Sequence, residues 1–172
     1  MKLLTGILGT LLISGSAMAS GIKVDFAGAC QNGDFQAVGA DVSYFNLDLD
    51  LFNGFGGEAK DCVITTKIPA RSGLRINVSD FQAEAFAQIT ADRGLASLLV
   101  NHRFNGQIVG SNRDVATDSR DMLAEQTAVA LSKCGEKVQL QTRISTRAKD
   151  AVLFLDNTKS NTVSYKIKYI KC

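Results

Sequence analysis

The chain has 172 residues with 19 Lys/Arg, 17 Asp/Glu and one His, a formal net charge of +2, four cysteines and no tryptophan. That length excludes a miniprotein held by its bridges alone. Outside the first twenty residues, no apolar run approaches the roughly 20 residues needed to span a bilayer.

Met1 to Ala19 opens with Lys2, continues through a mostly apolar stretch from Leu3 to Ser14 and closes on Ala17-Met18-Ala19. This pattern is that of a secretory signal peptide with an A-x-A cleavage site near Ala19. The expected organisation is therefore a leader over 1–19 and a single β domain over 20–172. Ser20 rather than cysteine follows the cut, so a lipoprotein tether is not expected, and no transmembrane segment is expected in the mature chain. The destination is extracellular or periplasmic, where Cys30, Cys62, Cys134 and Cys172 meet an oxidising environment and are expected in disulfides.

The mature chain reads in period two. Expected strands are Phe35 to Tyr44, then the Leu47, Leu49, Leu51 alternation with Asp48 and Asp50, then Cys62 to Ile68, Leu74 to Ser79, Phe81 to Ile89 and Leu98 to Phe104. Apolar parity switches between Tyr44 and Leu47, which places a bulge at Phe45 or Asn46. Further along come Ala128 to Lys133, the alternation of Val138, Leu140, Thr142 and Ile144, then Ala151 to Leu155, and last Val163, Tyr165, Ile167 and Tyr169. Turns fall at Asn32-Gly33, Asn53-Gly54, Gly56-Gly57, Ser72-Gly73 and Asn105-Gly106. Pro69, the only proline, ends the strand begun at Cys62. Gln107 to Ala124 is polar and reads as a long loop with one helical turn capped by Thr117. Eight to ten short strands with Gly/Asn turns and no alternating helices predict an all-β fold, an antiparallel β-sandwich or partly open barrel.

Charge is divided along the chain. Residues 20–132 hold 9 Lys/Arg against 14 Asp/Glu, whereas residues 133–172 hold 9 against 3. The basic C-terminal quarter, with Lys133, Lys137, Arg143, Arg147, Lys166, Lys168 and Lys171, is a candidate anion-binding patch. Its partner classes are an anionic glycan, envelope lipid or another surface protein. The alternative is that these strands simply pair with acidic neighbours in one sheet.

Four cysteines allow three pairings. The expected one, Cys30 with Cys62 and Cys134 with Cys172, closes two loops of similar size, each contributing about 3 to 4 kcal/mol by chain entropy. It would also pin the chain's end. No C-x-x-C occurs and no metal or other cofactor is expected.

Catalytic constellations are sparse. His102, on a strand, lacks a G-x-S-x-G nucleophile and a reduced thiol to serve, and reads as structural. Asp48 and Asp50 share one face of a strand with nothing to raise either pKa, and the following Asn53-Gly54 misses the calcium-loop spacing by one residue. Gly54-Phe55-Gly56-Gly57 has no helix after it and is a turn rather than a dinucleotide fingerprint. Few aromatic residues are available for stacking, so nucleic acid is not an expected partner. Tyr44, Phe45, Phe52 and Phe55 could form one local aromatic patch. Asn77-Val78-Ser79 is a glycosylation sequon if the host glycosylates and the strand is accessible.

The surroundings of the cysteines carry a resemblance. They are Gly28-Ala29-Cys30; Lys60-Asp61-Cys62-Val63-Ile64 running into Ile68-Pro69 and an Arg-Ser-Gly turn; His102-Arg103-Phe104-Asn105-Gly106; Cys134-Gly135-Glu136-Lys137 before Leu140-Gln141-Thr142-Arg143-Ile144; and Lys171-Cys172. Over nearly the whole mature chain this resembles the secreted four-cysteine family called domain of unknown function 4360, with Gln31 standing where that family usually has proline. The resemblance implies a small exported β-rich domain and supplies no catalytic residues. The resulting expectation is a non-enzymatic binding or surface-associated module. Its alternatives are a secreted hydrolase or lyase using paired carboxylates, and a pilus-like subunit with an incomplete sheet edge.

Overall fold

A computed structural model describes residues 21–30, 59–154 and 163–172 in full, and the backbone of 34–38, 43–48, 51–53 and 155. The leader, the turns at Asn32-Gly33, Asn53-Gly54 and Gly56-Gly57, Asp50, and the side chains of Tyr44, Phe45, Asp48, Phe52 and Phe55 lie outside the described residues.

Twelve strands and no helix occur among the described residues. In chain order they are β1 (Lys23–Gly28), β2 (Asp34–Val38), β3 (Ser43–Asp48), β4 (Leu51–Asn53), β5 (Ala59–Ile68) and β6 (Leu74–Ile89). They continue with β7 (Leu95–Phe104), β8 (Gln107–Ala116), β9 (Arg120–Leu131), β10 (Val138–Lys149), β11 (Ala151–Leu155) and β12 (Val163–Lys171). One antiparallel sheet has the order β1-β5-β10-β7-β8, and the other β2-β3-β12-β6-β11-β4 with β9 on the free side of β6. The fold is an all-β antiparallel sandwich with two disulfides, Cys30–Cys62 and Cys134–Cys172.

Alternation assigns the faces. On β5, β7 and β10 the even positions, among them Ile64, Leu98, Val100, Leu140 and Ile144, are buried against Phe81, Ala83, Met122, Tyr165 and Ile167 of the opposite sheet. The odd positions of the same strands face outward. The inner face also holds polar groups. The Thr66 hydroxyl and the Tyr165 phenol are hydrogen-bonded through the core from one sheet to the other, and burial pushes the phenol's pKa up. His102, 1% exposed, sits directly opposite Thr142 in the β7–β10 ladder, with Nδ1 and Oγ1 3.0 Å apart and the Phe81 ring edge-on at 4.4 Å. Its Nε2 is buried without a partner.

Three expectations are corrected. Gln107 to Ala124 is not a loop with a helical turn. It forms all of β8, a short turn, and the start of β9. Its polarity has a structural cause, because β8 and β9 meet where the two sheets' edges come together and are joined by side chains instead of a backbone ladder. Asn112 Nδ2 donates to Glu125 O at 2.7 Å, the Leu123 amide donates to Asp114 Oδ2 at 3.0 Å, and Gln126 Nε2 donates to Val109 O at 3.4 Å. Arg120 then clamps the turn, donating both to Asp114 (2.6 and 3.0 Å) and to Val115 O (2.7 Å).

The second correction concerns Leu74 to Ile89, which is one sixteen-residue strand, not two. Asp80 takes φ 52°, a left-handed conformation that Asp tolerates, and buried parity moves from Ile76 and Val78 to Phe81 and Ala83 across it. The register shifts between Val78 and Ser79 on the β9 side and between Ser164 and Lys166 on the β12 side. Third, pairing runs unbroken through Phe45 and Asn46 with both β2 and β12, so the bulge is not there. The expected strands Phe35 to Tyr44 and Leu47 to Leu51 are redistributed over β2, β3 and β4. The turn at Asn105-Gly106 is as expected, with φ of 48° and 85° closing the β7–β8 hairpin.

Burial lowers the His102 pKa from 6.5 to about 4, because the imidazolium would lose its hydration inside the core. The unfolded chain therefore takes up a proton that the folded chain refuses. Stability is whole above pH 6.5 and is lost as pH falls from 6.5 towards 4, by about 3 kcal/mol. Urea melts of the wild type and of His102→Leu at several pH values are expected to differ by that slope; parallel profiles would refute it. Tyr165→Phe leaves the Thr66 hydroxyl buried without its cross-sheet partner, and a loss of about 1 to 3 kcal/mol in the same melts is expected at neutral pH.

Candidate functional site

The outward rungs of the five-stranded sheet bring distant residues together. Register aligns Val115, Ser97, Arg147 and Ala59 in one row across β8, β7, β10 and β5. The next row is Arg113, Leu99, Ser145 and Asp61, and the third is Ser111, Asn101, Arg143 and Val63. Rows repeat about every 7 Å along a strand and strands lie about 5 Å apart. These rows line a basin of about 340 Å³ that contains Arg113, Arg143 and Arg147 around Ser97, Leu99, Asn101 and Ser145.

The three guanidiniums are not equivalent. Arg143 is engaged with Asp61 through two bonds, Nη2 to Oδ2 at 2.8 Å and Nε to Oδ1 at 3.3 Å, and Ser145 Oγ donates to the same carboxylate. Arg143 holds the Asp61 carboxyl below its usual pKa, helped by Ser145 and by the charge of Arg147. Asp61 in turn raises Arg143. Arg113 and Arg147 make no ion pair among the described residues and stand on either side of β7. Asp61 is the one carboxylate lining the basin among the described residues. Held ionised, it is poorly suited to donate a proton, and no second carboxylate among the described residues lines the basin to work with it. The geometry suits an anion.

A second cavity, of about 690 Å³, lies at the far end of the same sheet. It is lined by Lys23, Lys67, Lys137, Glu136 and Gln139 over an apolar floor that includes Ile68, Pro69 and Val138. Lys67 is paired with Asp25 at 2.8 Å, while Lys23 and Lys137 have no ion partner among the described residues.

The seven basic residues singled out in the sequence are distributed over four places. Arg143 and Arg147 line the basin and Lys137 the second cavity. Lys166 and Lys168 lie on β12 in the opposite sheet, Lys166 within 3.5 Å of Asp80. Lys133 and Lys171 flank the Cys134–Cys172 bridge. Arg113, Lys23 and Lys67 were not singled out, because they belong to the acidic part of the chain and only strand register brings them beside the others. His102 is buried in the core, away from both cavities. Asn77 lies in mid-sheet, paired with Leu131 on one side and Lys168 on the other. Among the described residues no group of three His, Cys, Asp or Glu side chains could hold a metal ion.

No family model and no curated protein matches the sequence. Among solved structures the chain is similar to TmCBM61 in complex with β-1,4-galactotriose, at 10% identity and a TM-score of 0.28, covering 80% of this chain and 90% of that one. It is also similar to the CBM36-1 domain of a multidomain xylanase from the hindgut metagenome of Trinervitermes trinervoides, at 10% identity and a TM-score of 0.33, covering 87% and 100%. Another is the arabinose-bound MgGH51 α-L-arabinofuranosidase, at 11% identity, a TM-score of 0.28 and coverage of 81% and 25%. At such scores no ligand or activity carries over from them.

Removing the Asp61 charge frees the third guanidinium. Asp61→Asn is expected to tighten the binding of sulfate several-fold in an NMR titration followed at the Ser145 and Asn101 amides. Unchanged affinity would show that Arg143 does not reach the bound anion.

Proposed function

We propose that the protein is an exported, non-enzymatic binding module whose arginine basin takes the acidic group of an anionic glycan. The observation that carries this reading is the pair Arg113 and Arg147, two guanidiniums lining one basin without an ion partner among the described residues. Guanidinium forks match carboxylate and sulfate geometry, and such bonds are stronger than neutral ones. Ser97, Asn101 and Ser145 supply the hydroxyl and amide groups that sugar hydroxyls require, and Leu99 offers a small apolar surface between them. The outward positions of β5, β7 and β10 carry no aromatic ring, so stacking cannot hold an uncharged sugar here and charge must do so.

Export rests on the leader ending at Ala19 and is supported by two disulfides, which persist in oxidising compartments. Membership of the secreted four-cysteine family, domain of unknown function 4360, belongs to the same proposal and rests on the residues around the four cysteines in the sequence.

The test is calorimetric titration with carboxylated and sulfated oligosaccharides beside neutral controls. Binding is expected only to the acidic ligands, weakening as salt rises because exposed charges are screened. The double variant Arg113→Ala, Arg147→Ala is expected to lose about tenfold or more with its melting temperature unchanged. Equal binding of neutral ligands, or an unaffected double variant, would refute the reading.

A further inference from the structure

The two cavities share one face and both gather cations, the second also holding the Glu136 carboxylate, which accepts from Asn105 Nδ2 and the Lys133 amide. Each has two cations without an ion partner among the described residues, Arg113 and Arg147 in one and Lys23 and Lys137 in the other. Each also has one cation already paired to a single aspartate, Arg143 with Asp61 and Lys67 with Asp25. Strand β10 runs between them. From Arg147 to Lys137 is ten residues, about 34 Å of extended chain.

What lies between is polar and uncharged along β10. Gln141 and Gln139 face outward there, with Thr65 beside Gln141 on β5 and Arg103 beside it on β7. A track of amides and a hydroxyl, with cations at both ends and Arg103 alongside its middle, is not what a flat membrane surface needs. It fits a linear polymer whose hydroxyls are satisfied along the way and whose acidic groups recur. The absence of outward aromatic residues on these strands argues against single-stranded nucleic acid, whose bases would have nothing to stack on.

We infer that the ligand is a linear polyanionic polysaccharide lying along β10, with one acidic group in the arginine basin and another, several sugars away, in the lysine-lined cavity. This rests on the basin reading and extends it from one acidic group to a chain. Occupying the first cavity raises the local concentration of the polymer's next acidic groups at the second, so affinity depends on chain length.

The experiment uses the purified, oxidised protein and an oligouronate series from dimer to decamer, with a sulfated series of the same lengths as the second arm. The decamer is expected to bind on the order of tenfold or more tighter than the dimer. The double variant Lys23→Ala, Lys137→Ala is expected to bring the decamer back towards the dimer's affinity and to leave the dimer's own affinity unchanged. A decamer no tighter than the dimer, or a length gain that the lysine variant retains, overturns the two-cavity arrangement while the basin reading stands. Failure of the dimer to bind, together with an inert Arg113→Ala, Arg147→Ala variant, overturns both. Whichever series shows the lysine-dependent gain identifies the acidic group as carboxylate or sulfate.

Discussion

The register of β10 holds core and surface together. This strand is zipped to β5 from Val138–Ile68 to Arg147–Ala59, and to β7 from Leu140–Phe104 to Lys149–Leu95. Because side chains alternate with a period of two, sliding β10 by one residue would turn Leu140 and Ile144 to water and drive Arg143 and Arg147 into the core. The basin exists only in the register that buries the aliphatic residues. The hydrophobic effect that folds the sheet therefore also aligns the guanidiniums, and it does so without any interaction among them.

Polar groups inside the sandwich sharpen this choice. A core of aliphatic residues alone tolerates small slips, because one methyl group resembles another. The Tyr165–Thr66 bond and the opposed Thr142–His102 pair do not, since a shifted neighbour would leave a hydroxyl or imidazole buried without a partner. His102 already leaves one nitrogen in that condition, which marks the limit of what the core accommodates.

Much of this architecture is written in local pattern. The alternations of Val138 to Ile144 and Val163 to Tyr169 are strands because each has one apolar face, and Asn105-Gly106 is a hairpin because both residues accept positive φ. The site is less legible. Arg113 sits in a polar segment whose hydrophilicity reads as a loop, yet Asn112 and Asp114 are polar because they bridge to β9 at the sandwich edge. Strand pairing joins positions 61, 99, 113 and 145 into one row, and no window along the sequence contains them together. Net charge by segment misled for the same reason. Lys166 and Lys168 are near Arg143 in the chain and lie on the other sheet, while Lys67 is far along the chain and shares its strand with Asp61.

The two bridges have a mechanical consequence. Each is covalent, so tension applied between the chain's ends passes from residue 30 to residue 62 and from residue 134 to residue 172 through sulfur, not through the peptide in between. Between the two bridges the loaded path is thus 62–134, running from β5 to just past the end of β9. Strand β10, which carries Arg143 and Arg147, lies wholly within the shielded loop. If the molecule were pulled by its termini, the strand at the centre of the arginine basin would stay slack in its backbone until a disulfide broke.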